Sequence, residues 1–352
     1  MGSKMSKLRE NKMKAAVAYG PRNIRIERVD IPAISDDEVL IRVKVIGICP
    51  SDVRSYEGIY KREMYPYGLE SYGLSGHEWC GEVAEVGEAV EEFSIGDRVV
   101  PEIIIPCGRC KFCRRGMSNI CANKRNITRG YAEYAKAPAD FLFKIPPNVS
   151  FEAAAFTEPI AVCLHTNELI SPKPGDTILV IGGGPMGLIH AQISKISGAS
   201  VVVSEVVEER LRAAEKFGAD FVVNPMEEDL NSRVRELTDG YGADAVIVAT
   251  GNKNAIESGV KTVSNAGTVV LFGGSYPPVN IELDPNIIHY GEIRIIGSYD
   301  HTPTHTERAL RILSRKLINV EDLVSRTFSL DELERGFETV KRGEALKVNI
   351  RP

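Results

Sequence analysis

Four cysteines, Cys107, Cys110, Cys113 and Cys121, stand in IPCGRCKFCRRGMSNIC with two, two and seven residues between them. Four soft thiolates on one short lobe close the tetrahedral shell of Zn2+ and leave no position for chemistry, so the expected site is structural. The longer gap between cysteine pairs that marks a zinc ribbon is absent. Disulfide pairing is the alternative, and it needs an oxidising compartment for which the sequence carries no address. A second set is more dispersed: Cys49 ends an apolar stretch, His77 and Glu78 stand in SGHEWCGEV, and Glu158 stands in FTEP where a helix begins. Singly these are unremarkable, with a buried cysteine, a core histidine and a helix-start glutamate as the default readings. Together, in a chain that already carries a zinc clamp, they read as the open donor set of a catalytic zinc.

A third pattern is Gly182, Gly184 and Gly187 in VIGGGPMG, after an apolar strand and before a helical stretch. In that context the glycines allow a tight turn, close approach to a pyrophosphate, and close helix–strand packing, with phosphates at the helix N-terminus. The next strand, VVVSE, leads into Glu205, whose carboxylate suits both ribose hydroxyls and repels a 2′-phosphate. NAD is therefore expected over NADP, with Arg210 near enough to tolerate a phosphate.

These residues need particular elements to hold them. From Met13 to about Gly47, and on through GEVAEVGEAV, GDRVVPEI and YAEYAKAPADFLFKIP, alternation and turn residues predict short, mostly antiparallel strands. FEAAAFTEPIAVCLHTNELI has helical spacing, and SPKPGD reads as a hinge. From Thr177, buried-strand runs alternate with amphipathic stretches (TILVIG, GLIHAQISKIS, VVVSE, ERLRAAEKFG, DAVIVATG, NAIESGVKTV, GTVVLFGG), which predicts a doubly wound parallel sheet covered on both faces. ERALRILSRKL and LDELERGFETVKRG read as helices, and KVNIRP as a last strand.

The chain has 352 residues, 43% hydrophobic and 26% charged, and 43 Lys+Arg against 48 Asp+Glu give a net charge of −5. Two soluble domains are the expectation, without a basic footprint for nucleic acid or an apolar run of about 20 residues for a membrane. The charged start MGSKMSKLRENK lacks the apolar middle of a secretory signal, which points to the cytoplasm. Gly2 and Ser6 match a loose myristoylation pattern, but a leader or cloning remnant is the simpler reading.

GICPSD, GHE, GDRVVPE, the four-cysteine lobe, TEP, GGGPMG and the GAD of KFGAD, in this order, resemble the zinc-containing medium-chain dehydrogenase/reductase family from about Met13 to the C-terminus. The glutamate of TEP resembles its polyol (sorbitol) and threonine dehydrogenase branch. The resemblance implies a GroES-like β-rich catalytic domain (13–164 with 304–352, zinc lobe about 101–125), a Rossmann-type α/β domain (165–303), an extension at 1–12, and an active site in the cleft between the domains. It implies two zincs per chain, NAD, a small-molecule alcohol as substrate, and a homodimer or homotetramer. By position, Cys49, His77, Glu78 and Glu158 supply the catalytic zinc environment, the two glutamates being able to trade places with a water. Ser51 falls at the family's relay-hydroxyl position, with a plain turn hydroxyl as the alternative. Met186, Glu205, Arg210, Phe272, Gly273, Gly274, Ser298 and Tyr299 fall where the family contacts NAD.

The chain departs from the family at Arg54, where a relay histidine is usual, and at Ser55 and Asp300-His301, where sorbitol-type enzymes carry an aromatic and an Arg-Tyr pair. Arg54 is expected either to bind an anionic substrate group or to form a structural salt bridge. His301 and His305 are expected to orient a hydroxylated substrate or act as the missing base or, as the plainer alternative, to cap the following helix. Cys80 and Cys163 read as small buried hydrophobes. The implied activity is NAD-dependent oxidation of a secondary alcohol; a threonine 3-dehydrogenase-like enzyme and a non-catalytic zinc-stabilised binding protein are the alternatives.

Overall fold

In EVLIRVKVIG, Glu38–Gly47, nearly every apolar side chain is buried, because the strand lies inside a sheet with partners on both edges. The structure, a computed structural model, describes residues 12–59, 76–126 and 130–352. The myristoylation pattern at Gly2 and Ser6 and nearly all of the N-terminal extension lie outside the described residues. The chain divides into two units: one takes the chain up to Ile105, Lys124–Glu158 and Glu321–Pro352; the other takes Pro106–Asn123 and Pro159–Val320.

The first unit is a mixed β structure. Lys12–Gly20 and Asn23–Asp30 pair antiparallel. A larger sheet runs in the order Val324–Ser329, Lys347–Arg351, Glu38–Gly47, Glu78–Val86, Arg98–Pro101 and Leu142–Lys144, and Tyr134–Pro138 pairs with Glu38–Gly47 as well. Its core gathers Val39, Ile41, Ile46, Trp79, Tyr131 and Phe337. Each large side chain so buried contributes about 1.5–3 kcal/mol, enough together to hold a sheet of short strands. The sheet sets Gly47 opposite Glu78 and Asn349 opposite Gly47, bringing three distant segments to one spot.

The second unit carries a six-stranded parallel sheet in the order Phe221–Val223, Ser200–Ser204, Thr177–Ile181, Ala243–Val248, Val263–Leu271 and Arg294–Gly297. Val201, Val202 and Val203 are all fully buried, as expected of strands covered by helices on both faces. Thr177–Ile181 lies between Ser200–Ser204 and Ala243–Val248, so the strand order reverses there and opens a crevice at the carboxyl ends. The GroES-like plus Rossmann-type expectation describes both units.

Three segments group differently from the boundaries drawn on the sequence, residues 159–164 among them. The four-cysteine lobe and helix Pro303–Ser314 belong to the second unit. For the lobe the reason is visible: Asn119 Nδ2 donates to the Tyr299 carbonyl oxygen at 2.9 Å.

Candidate metal and cofactor sites

Cys49 lies two residues beyond the end of its strand, a small correction to the sequence reading, and is the N-cap of helix Pro50–Tyr56, with Pro50 at the helix start. Its N–H donates to Asp52 Oδ2 at 3.1 Å, which fixes the turn. His77 precedes strand Glu78–Val86, and this strand's pairing with Glu38–Gly47 brings the two segments together. Ligand atoms of Cys49, His77 and Glu78 all lie within 4.8 Å of one another. Asp52 is buried, with Oδ1 3.5 Å from His77 Nδ1, so Nε2 is the nitrogen left to bind a metal. Burial works to lower the His77 pKa but is outweighed by Asp52 and Cys49, which raise it well above the usual histidine value. A thiol and carboxylates gathered around one imidazole are groups whose negative charge a divalent cation favours. One sulfur, one imidazole nitrogen and one carboxylate oxygen suit zinc.

Glu78 is 2% exposed and its Oε2 pairs with Lys347 Nζ, itself 4% exposed, on the C-terminal strand Lys347–Arg351. Lys347 also lies 5.7 Å from the centre of the Phe156 ring. Glu158, in the first turn of helix Thr157–Ile170, is half-buried and lies outside the group of three. Ser51 and Arg54 are half-buried in helix Pro50–Tyr56, at its first and last turn.

In the lobe, the ligand atoms of Cys107, Cys110, Cys113 and Cys121 likewise lie within 4.8 Å of one another, and all four are free thiols. Cys110 Sγ is 3.5 Å from Cys113 Sγ and 3.8 Å from Cys121 Sγ. A tetrahedral ion with Zn–S bonds of about 2.3 Å needs sulfurs about 3.8 Å apart, so the lobe fits zinc and not a disulfide. Backbone N–H groups of Cys107 and Asn123 donate to Cys121 Sγ. Those of Cys113 and Ala122 pull the Cys110 pKa down to about 6, while burial and the neighbouring thiols push Cys113 up to about 12.

In the second unit, Gly182 has φ +111, and a Cβ on Gly187 would overlap the Gly182 carbonyl oxygen, so both glycines are obligatory. Gly184 caps helix Pro185–Ile196, which carries Met186, and a Cβ there would project into open space. Gly182 and Gly184 border a cleft of about 650 Å³ lined also by Glu205, Arg210, Thr250 and Asn252. Glu205 is buried; its Oε2 accepts from the Gly183 N–H at 2.8 Å and its Oε1 from Val206 and Val207 at 2.7 and 3.1 Å. Arg210 lies 3.7 Å from Oε2. Phe272–Gly274 and Ser298–Tyr299 follow the carboxyl ends of two adjacent strands of the same sheet. The cleft at the crevice, with a helix N-terminus and the Glu205 carboxylate in its lining, fits a dinucleotide.

Asp300 sits at φ +62 and its Oδ1 is 3.3 Å from Nδ1 of buried His301. His305 caps helix Pro303–Ser314: its Nδ1 accepts from the Thr302 N–H at 3.1 Å, and its Nε2 lies 2.8 Å from Glu168 Oε2. His165, Glu168 and His305 form a third cluster of metal-type donors. With Nδ1 accepting, Nε2 must carry the proton and donate to Glu168, so His305 ties two helices together and offers no lone pair to a metal. Cys80 and Cys163 are buried as expected. The sequence reading assigns no role to Asp52, Tyr131, Lys347 or Asn119, of which only Asp52, three residues after the cysteine, carried a local signal.

Two family models match the chain: an alcohol dehydrogenase GroES-like domain over residues 35–147 and a zinc-binding dehydrogenase over 185–315. Sorbitol dehydrogenase of Bacillus subtilis (strain 168) is 34% identical over 349 residues, covering 97% of each chain. The chain belongs to the zinc-containing medium-chain dehydrogenase/reductase family, in its polyol and threonine dehydrogenase branch. L-threonine 3-dehydrogenase of Pyrococcus furiosus is 35% identical over 343 residues, 96% of each chain. Among solved structures, a zinc-binding dehydrogenase of Sinorhizobium meliloti 1021 bound to NADP superposes with a TM-score of 0.90 at 31% identity, covering 97% of this chain and 100% of its own. Members of this family are oxidoreductases, and so is this chain.

Proposed function

We propose that the chain oxidises a secondary hydroxyl of a polyol, cyclitol or sugar-derived alcohol and passes hydride to NAD. The observation that carries this reading is the convergence of Cys49, His77 and Glu78 in a chain of this family. Two zincs per chain are proposed, one held by Cys107, Cys110, Cys113 and Cys121, the other by Cys49 Sγ, His77 Nε2 and the Glu78 oxygen not engaged by Lys347. Glu158 is assigned to hold a water beside the second ion. When bound, zinc supplies the Lewis acidity that makes a hydroxyl acidic near neutral pH, and nicotinamide supplies the hydride acceptor. Asp52 holds His77 in the tautomer that presents Nε2, and Lys347 keeps the buried Glu78 charge compensated. Ser51 is proposed to take the substrate's proton, with Arg54 positioned to receive an anionic group where the family has a relay histidine.

NAD is proposed over NADP even though the Sinorhizobium relative is bound to NADP. Glu205 is buried and fixed by three backbone N–H groups, so it cannot swing clear of a 2′-phosphate at low cost. Seven free thiols suit a reducing compartment, which supports a cytoplasmic location.

The test is NAD+ reduction by the zinc-loaded protein across polyols, cyclitols, sugar acids and threonine. Turnover of a polyhydroxylated secondary alcohol is expected, lost in Cys49→Ala. Faster oxidation of threonine than of any polyol favours the rival enzyme, and no turnover with any of them overturns the proposal.

A further inference from the structure

Tyr131 lies 79 residues from Asp52 in sequence, yet its hydroxyl donates to Asp52 Oδ2 at 2.9 Å in a fully buried setting. Cys49 N–H donates to the same oxygen. Both donors therefore crowd onto Oδ2, and Oδ1 is the oxygen that faces His77 Nδ1. A buried carboxylate would otherwise be free to rotate about its last bond, and the imidazole it orients would turn with it. We propose that Tyr131 is a positioning residue for the metal centre: its hydroxyl locks the rotation of Asp52, and Asp52 in turn aims the His77 ring at the ion.

The ring that carries this hydroxyl is itself immobilised. Tyr131 packs edge-on against the fully buried Phe337, with ring centres 5.6 Å apart and planes at 87°. It also lies against Gly76, the residue before His77, where a Cβ would sit 3.0 Å from two ring carbons. The hydroxyl remains a donor throughout the neutral range, because burial and the Asp52 charge raise its pKa well above that of a free tyrosine. Tyr131→Phe removes one oxygen and leaves the packing in place, so it isolates the hydrogen bond from the scaffold.

The inference rests on the reading of Cys49 and His77 as metal donors, and the experiment separates the two. Protein with its structural lobe loaded and the second site emptied is titrated with Co2+ against a competing chelator, for wild type, Tyr131→Phe, Phe337→Leu and Cys49→Ala. Wild type is expected to take up one equivalent that Cys49→Ala does not; equal uptake by both would overturn the metal reading itself. Tyr131→Phe is expected to bind that equivalent about tenfold more weakly, at the low end of what loss of an outer-shell partner costs, with an altered cobalt d–d spectrum. Uptake by the cysteine lobe should be the same in both. Phe337→Leu, which loosens the ring but keeps the hydroxyl, is expected to lower the unfolding temperature and leave cobalt affinity within about twofold. If Tyr131→Phe binds cobalt as wild type does, or if Phe337→Leu weakens binding as much, the hydroxyl does not position the site.

Discussion

Replacing Lys347 by Met tests how the buried charge of Glu78 is carried. Lys347 and Glu78 are 4% and 2% exposed, and the ammonium is the counter-charge that the structure gives Glu78. Met keeps most of the side-chain volume, so packing is nearly conserved and the loss is electrostatic. Removing one partner of such a pair costs about 3–5 kcal/mol, because the remaining charge is left in a medium that solvates it poorly. At about 2–4 °C per kcal/mol for a domain of 150–250 residues, the unfolding transition of the first unit should fall by about 6–20 °C. The assay is calorimetry of the protein with the Cys49 site emptied, and then loaded with zinc. If Glu78 is a zinc ligand, the ion supplies a second counter-charge, and the cost of Lys347→Met should shrink to less than half in the loaded protein. Adding Glu78→Gln to Lys347→Met in the emptied protein should recover at least about 2 kcal/mol, since no bare carboxylate remains. A Lys347→Met transition within about 1 kcal/mol of wild type in the emptied protein refutes the claim that this pair is a buried ionic one. An equal cost with and without zinc refutes the contact between Glu78 and the metal.

Glu205→Gln loses the charge and keeps one acceptor oxygen, enough for the Val206 and Val207 N–H groups that share Oε1, while its Nε2 is set against the Gly183 N–H. Hydrogen bonds to a charged group contribute about 1 kcal/mol more than neutral ones, so the ratio of kcat/KM for NAD+ over NADP+ should fall about five- to tenfold, as steady-state kinetics with both cofactors would record; an unchanged ratio refutes the role of the carboxylate. His190 is buried on helix Pro185–Ile196 against Phe272, its Nε2 has no hydrogen-bond partner among the described residues, and burial pushes its pKa down to about 3. The unfolded chain therefore takes up this proton first: stability is complete above about pH 6.5 and is lost as pH falls below it. Between pH 7.5 and 5.5 the loss from this one side chain is about 1.4 kcal/mol, and His190→Leu should remove that increment from urea-unfolding curves; identical pH slopes for the two proteins would show that the ring is not held neutral.

What could be read without coordinates follows the range over which the physics acts. The parallel sheet is legible because each buried strand is a continuous apolar run followed by a helix of opposite texture, a pattern contained in about 30 residues. Phe221–Val223 and Arg294–Gly297 escape it, being three and four residues long with exposed side chains at one end. The dinucleotide loop is legible to the residue, because steric demands on Gly182 and Gly187 are made within one turn. The metal donors are legible only as types in a familiar order, since nothing local says that Cys49 will meet His77. Of the groups that tune those donors, Asp52 alone leaves a local trace, and its partner Tyr131 and the Glu78 partner Lys347 leave none. Glu78 meets Lys347 across 269 positions, and Asp52 meets Tyr131 across 79.

That asymmetry has a physical cause. A donor set for zinc is defined by side-chain chemistry, which each residue carries alone, whereas the charge balance and orientation of a buried site are set by whatever the sheet register brings alongside. Here the register does both tasks through one strand: Gly47 lies opposite Glu78 and also opposite Asn349, two residues past Lys347. Closing the C-terminal strand onto Glu38–Gly47 is therefore the same event as delivering the ammonium to the carboxylate. A buried acid that is compensated only when the last strand docks makes the site conditional on a completed first unit, so a correct ligand motif in the sequence is necessary for the metal centre without being sufficient for it.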